Sequence, residues 1–162
     1  MPGARKNAKK LKMFLYINTS DCKKVILALI DKKGRILKLR KAKAEYQQSE
    51  KLLSLIEKLL SGAKVCLPGR QAPSFGVSGD RSLKGVIIVT GPGGFTSLRI
   101  GIATANAMAW ALQIPIVGVK NNKNEPDSKL VMRGFKKIIR AKRFKQVLPE
   151  YGKEPNITIL NT

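Results

Sequence analysis

Apolar and polar positions along this chain follow two different periods. Met13–Asn18 (MFLYIN) and Lys23–Ile30 (KKVILALI) are short runs of apolar, largely β-favouring residues, which predicts two strands. Asp31-Lys32-Lys33-Gly34 reads as a hairpin turn, and Arg35–Arg40 alternates as a third strand. From Tyr46 to Leu60 the period lengthens. Leu52, Leu55, Ile56, Leu59 and Leu60 repeat at helical spacing, and Gly62 marks the stop. The Gly-, Pro- and Ser-rich stretch Lys64–Lys84 predicts a loop. Gly85–Val89 has no charge and predicts a strand buried on both faces. A second helix is expected over Thr96–Leu112, and a fifth strand over Ile114–Val119. After a polar linker, Asn121–Asp127, the pattern predicts a third helix over Lys129–Leu148. Its apolar stripe includes Val131, Phe135, Ile138 and Ile139. Asn156–Leu160 reads as a last short strand.

The order is three strands able to pair antiparallel, then helix, strand, helix, strand, helix. That is the order of an α/β ribonuclease-H-like lobe, the unit that is doubled in the actin-like ATPase fold. The chain divides into a disordered basic arm over residues 1–12, a lobe over 13–119, and a linker, basic helix and tail over 120–162.

Charge changes the picture at both ends. The chain holds 32 Lys and Arg against 10 Asp and Glu, a net charge of +22. Met1–Lys12 carries five bases and no acid, and Lys129–Lys145 carries eight bases and no acid, whereas the central part is sparsely charged. Such a field attracts RNA, an anionic membrane or an acidic protein, with a solvated lysine surface as the plainer alternative. The chain has no histidine, so imidazole acid–base chemistry and histidine metal ligation are excluded. Cys22 and Cys66 lie far apart and form no CxxC pattern; buried structural roles and a cytoplasmic location are expected. Ile100–Val119 is uncharged, but Thr104, Asn106, Gln113 and Pro115 interrupt it, so no membrane span is expected.

The residues limit the chemistry further. A nuclease on this fold needs clustered carboxylates, the first at the end of strand one, where Asn18 stands. The loop Gly91-Pro92-Gly93-Gly94 lies between a strand and a helix, a layout that lets backbone N–H groups face a phosphate. It lacks the Lys-Ser/Thr of a Walker A loop and the GxGxxG spacing of a dinucleotide site. Capping of the helix by Thr96 and Ser97 is the plainer role. Within that helix Gly101, Ala105 and Ala109 recur every four residues. The face they make suits close approach by another backbone, either a partner's or the chain's own.

The run GPGGFTSLRIGIATANAMAWALQIPIVGV closely resembles the GPGSFTGLRIG-A-A-GLA-AL-IP--GV signature of the TsaB (YeaZ) family. MFLYINTS is similar to the family's M-L-IDTS, and Gln47-Gln48-Ser49-Glu50-Lys51-Leu52-Leu53 to its QHSE-LL. The tail from Leu148 to Thr158 is similar to its P-Y-R-P-I-T ending. The resemblance covers about Met13–Val119 and this tail. The chain departs from the pattern at Asn18, where the family has aspartate, at Gln48, where it has histidine, and at Ser97, where it has glycine. Family members also carry a second lobe, so a lobe truncated relative to the two-lobe family is expected.

TsaB is the non-catalytic partner of TsaD, which transfers a threonylcarbamoyl group to the adenine beside the anticodon. The resemblance therefore implies a scaffold that pairs with a TsaD-like protein through two helices, beside a TsaE-like ATPase, with tRNA held by the complex. Carried over, the partner face comprises Ser49, Leu52, Leu53, Ile56 and Leu60 on the first helix. On the second it comprises Phe95, Leu98, Arg99, Gly101, Ile102, Ala105 and Ala109. Thr19, Ser20, Gly91, Gly93 and Gly94 are the nucleotide-proximal candidates. No cofactor of the chain's own is expected, with ATP or ADP at the partner interface as the candidate. Lys136, Lys137, Arg140 and Arg143 are candidate tRNA contacts. A homodimer through the same helices is the alternative without TsaD. The rival functions are a stand-alone basic RNA-binding protein and a nucleotide-binding enzyme using the Gly91–Gly94 loop.

Overall fold

The charge-free run before the glycine loop becomes the strand on which the sheet is built. A computed structural model describes residues 10–45, 47–67 and 81–152. The strands are β1 (Leu11–Asn18), β2 (Lys24–Asp31), β3 (Ile36–Lys43), β4 (Val65–Cys66), β5 (Arg81–Gly91) and β6 (Ile116–Lys120). The helices are α1 (Gln48–Gly62), α2 (Phe95–Ala111) and α3 (Asp127–Ile138). The sheet runs β3-β2-β1-β5-β4, and β6 also pairs with β5. β1, β2 and β3 form an antiparallel meander, while β5 is parallel to β1, β4 and β6. Three antiparallel strands followed by parallel crossovers form a ribonuclease-H-like lobe.

β5 has strands on both sides and helices on both faces. Leu83, Val86, Ile87, Ile88 and Val89 are accordingly fully buried, as expected for a parallel strand inside an α/β sandwich. One core layer joins Leu15, Ile17, Leu27, Val86 and Ile88 to Leu52, Ile56 and Leu59 of α1 and Leu98, Ile102 and Ala105 of α2. The other joins Phe14, Tyr16, Ile26, Ile87 and Val89 to Leu130, Val131 and Ile138 of α3.

Several expected boundaries move. Part of the expected Lys64–Lys84 loop is strand: Val65–Cys66 forms β4, and β5 starts at Arg81 beside Leu11 of β1. The third helix ends at Ile138 rather than Leu148. It lies in one layer, whereas Phe144 and Val147 pack on the other, so the chain must leave the helix to reach them. Residues 139–152 therefore form an irregular strap. Cys22 is exposed rather than buried, and Cys66 is half-buried. No described helix is long and apolar enough to cross a membrane. The arm up to residue 9 and the Asn156–Leu160 strand fall outside the described residues.

Candidate functional site

Where β1 and β5 end, the chain gathers its polar residues. β1 delivers Asn18, Thr19 and Ser20; β5 delivers Thr90 and the glycine loop; α3 begins at Asp127. This is the edge of a parallel sheet where ligands of α/β proteins usually bind.

Asn18 uses both ends of its amide. Its Nδ2 donates to Asp127 Oδ1 at 2.8 Å, and its Oδ1 accepts from the Ser20 hydroxyl at 2.7 Å and the Ser20 N–H at 3.1 Å. The fully buried Tyr16 donates its hydroxyl to the same Asp127 oxygen at 2.6 Å. Burial, followed by the Asp127 carboxylate, raises the Tyr16 pKa and keeps the phenol a donor. The carboxylate absent at position 18 is thus supplied from 109 residues away. Asp127 is a site residue that local sequence pattern does not reveal. Its one advance signal is an acid two residues ahead of the predicted third helix, which the structure extends back to include it.

Beside this cluster lies a polar cavity of about 160 Å3, lined by Asn18, Ser20, Asp21, Lys24, Asn121, Glu125 and Asp127 among others. Its acids have partners within the chain. Asp21 accepts from the Lys23 N–H and pairs with Lys24, and Glu125 pairs with Arg133 at 2.6 Å. With three carboxylates and one lysine, the lining repels a free phosphate.

The glycine loop is filled by its own chain. Gly91 has φ +131°, and a Cβ there would lie 2.2 Å from the Glu150 carbonyl oxygen. A Cβ on Gly93 would lie 2.3 Å from the Ser20 carbonyl oxygen, and the Gly94 N–H donates to that oxygen at 3.0 Å. These glycines permit close approach of two neighbouring backbones. The expected capping by Thr96 and Ser97 does not form: Ser97 donates its hydroxyl to the Gly94 carbonyl, and no side chain caps α2.

The strap holds the loop from the other side. The Glu150 N–H donates to the Thr90 carbonyl at 2.8 Å, the Thr90 hydroxyl to Glu150 Oε1 at 3.2 Å, and Lys120 pairs with Glu150 at 2.7 Å. Asn106 of α2 bonds both the N–H and the carbonyl of Val147. Tyr151 stacks on Phe95 at 4.6 Å between ring centroids. Arg99 donates to the Tyr151 hydroxyl and lies 4.5 Å over the Phe95 ring.

The expected helix face divides in two. Leu52, Ile56, Leu60, Leu98, Gly101, Ile102, Ala105 and Ala109 are buried within the chain, and only Ser49, Leu53, Phe95 and Arg99 face solvent. The Gly101–Ala105–Ala109 ridge is internal: it seats α2 on the sheet, with Gly101 against Thr19. The exposed alanines of α2 are Ala103, Ala107 and Ala111, with Trp110 beside them. Gln48, buried at the start of α1, donates to the Cys22 carbonyl at 2.6 Å and ties α1 to the β1–β2 turn. Lys136, Lys137, Arg140 and Arg143 are exposed, and Lys137 donates to the Gly118 carbonyl.

The fold and the site define an α/β protein built on a ribonuclease-H-like lobe whose glycine loop is packed by its own chain. The model of the TsaD family, tRNA N6-adenosine threonylcarbamoyltransferase, matches residues 41–123, and the chain belongs to that family. The tRNA threonylcarbamoyladenosine biosynthesis protein TsaB of Bacillus subtilis (strain 168) is 39% identical over 41 residues, 25% of this chain and 18% of that protein. YeaZ from Pseudomonas aeruginosa superposes with a TM-score of 0.54 at 27% identity, covering 68% of this chain and 44% of that one. A second solved structure, of an uncharacterized protein with similarity to peptidase YEAZ from Pseudomonas aeruginosa, gives the same figures. The chain thus spans less than half the length of these relatives.

Proposed function

We propose that the chain serves tRNA threonylcarbamoyladenosine biosynthesis as a non-catalytic subunit that pairs with a TsaD-like protein. The packed glycine loop is the observation that carries this reading. Its Gly94 N–H is given to the Ser20 carbonyl, the Glu150 backbone occupies the space above Gly91, and the Glu150 carboxylate sits beside Thr90. A phosphate would have to displace all three, which disfavours the nucleotide-enzyme reading. ATP or ADP in such an assembly belongs at the partner interface, beside Ser20 and the loop, and not in a site of the chain's own; Thr19 is buried beneath α2.

The proposed contact surface is the outer side of α1 and α2. Leu53, Phe95 and Trp110 are 59%, 49% and 63% exposed there, around the small residues Ala103 and Ala107. Small residues framed by large apolar ones let a partner helix approach closely. The buried members of the two helices hold this face in place. A TsaE-like ATPase and tRNA would join through the same complex, and a homodimer would use the same face. Co-expression of the full chain with the TsaD-like protein of its organism tests the reading. A stable complex with tRNA-modifying activity is expected; two separately eluting proteins would refute it.

A further inference from the structure

We propose that the β2–β3 hairpin of this chain is a ribbon that grips the sugar–phosphate backbone of RNA. β3 is an edge strand, and Ile36–Lys43 is exposed or only half-buried along its whole length, so it overhangs the body of the lobe. Residues opposite one another across the ladder share a face. Lys38 and Arg40 lie opposite Leu29 and Leu27, on the side of α1 and α2. Lys41 and Lys43 lie opposite Ile26 and Lys24, on the side of α3. Lys32 and Lys33 cap the tip.

None of these six bases has an acidic partner among the described residues. Of the acids near the hairpin, Asp31 is already engaged by Arg35 and Asp21 by Lys24, and Glu45 lies past the end of β3. The basic surface continues onto α3, because Phe135 packs against Gly34 of the hairpin turn and Lys136 follows it. Unpaired bases on both faces and at the tip suit a polyanion that runs past the ribbon. RNA is the polyanion that family membership favours.

Two rival roles for these bases would leave different signatures. Lysines on an edge strand can simply prevent pairing with a second copy. An acidic peptide can add to the edge as another strand, using Ile36, Leu37 and Leu39. Lys32 and Lys33, at the turn, lie beyond the reach of such a strand.

The test uses the full chain alone and an unmodified tRNA transcript, with affinity followed by fluorescence anisotropy as salt is raised. It is independent of the proposed partner: failure to pair with a TsaD-like protein leaves it standing, and its own failure leaves the pairing intact. Replacing Arg40, Lys41 and Lys43 with Gln should reduce the slope of log affinity against log salt by about 2–3. Replacing Lys51, Lys58 and Lys84 with Gln removes the same charge elsewhere and should change the slope by less than about 1. Equal losses in the two variants would overturn the proposal. So would self-association of the first variant with RNA binding intact. Displacement of the RNA by polyglutamate at matched charge would overturn it as well, in favour of an acidic protein.

Discussion

Substituting Gly101 with Ala probes the seat on which α2 rests. A Cβ at Gly101 would lie 1.9 Å from Thr19 Oγ1 and 2.9 Å from both Thr19 Cβ and Cγ2. Rotating the threonine exchanges one contact for another, so the helix or the β1 exit must move. Overpacking of this kind costs about 1–3 kcal/mol, and three close contacts put it near the upper end. Ala is favoured over Gly within a helix by about 1 kcal/mol, which offsets part of that cost. A net loss of about 2 kcal/mol follows, a fall in Tm of roughly 4–8 °C for a chain of this size. Thr19 also supplies the control. Its hydroxyl is fully buried and has no hydrogen-bond partner. Thr19→Ala should therefore be nearly neutral, with a lost methyl set against removal of an unsatisfied oxygen. In the Thr19→Ala background most of the clash is gone, and Gly101→Ala should recover at least about 1 kcal/mol of its cost. Urea unfolding of the two single variants and the double variant closes the cycle. A Gly101→Ala chain as stable as the parent would refute the reasoning, as would a coupling below about 0.5 kcal/mol.

Three further outcomes follow from the site. Ala105→Trp should unfold the chain, because that side chain is fully buried; Ala107→Trp should keep the urea midpoint and abolish co-elution with a TsaD-like partner. Asn18→Asp would set a second carboxylate within hydrogen-bond distance of Asp127 and remove a donor, costing about 1–3 kcal/mol at pH 7. One carboxyl of that pair would have a raised pKa when folded, so the deficit should shrink as pH falls; a deficit constant down to pH 5 counts against it. The Glu150 carboxyl is held below its ordinary value of 4.5 first by the Lys120 hydrogen bond. Its hold on the strap is complete above pH 4.5 and is lost as pH falls through the lower folded value. Hydrogen exchange over residues 146–152, corrected for intrinsic rate, should show this loss, and Glu150→Gln should exchange faster at pH 7 with no such pH step.

Much of the architecture is legible in local pattern. The charge-free β5, the Asp31–Gly34 turn and the leucine period of α1 each announce one element and leave little choice of neighbour. The family resemblance rests on contiguous residues and is legible for the same reason. What escapes the pattern depends on contacts far apart in the chain. The Gly101–Ala105–Ala109 spacing shows that α2 has a small face, but not whether a sheet or a partner lies against it. Thr19 decides that, and it is 82 residues away from Gly101 in the chain. The expected third helix runs too long because Phe144 and Val147 carry an apolar rhythm onward while belonging to the opposite layer. Asn18 reads as a lost carboxylate until Asp127 is placed beside it. Arg81 and Lys84 disguise the start of β5: Arg81 donates to the Ala63 carbonyl, and Lys84 is the extra residue at the register shift opposite Met13 and Phe14, where it stays exposed.

The position of β5 also sets an order of assembly. β1, β2 and β3 pair through short connections and can form as soon as they leave the ribosome, whereas β1 meets its parallel neighbour only after residue 81 has been made. Such non-local pairing is slow. Until it forms, the nascent meander presents two unequal edges. One is β3, lined with lysine and arginine; the other is β1, whose MFLYIN run carries no charge beyond Lys12 before it to keep a second nascent chain away. The yield of folded protein should therefore depend on how long that bare edge waits, and slower synthesis upstream of Arg81 should lower it.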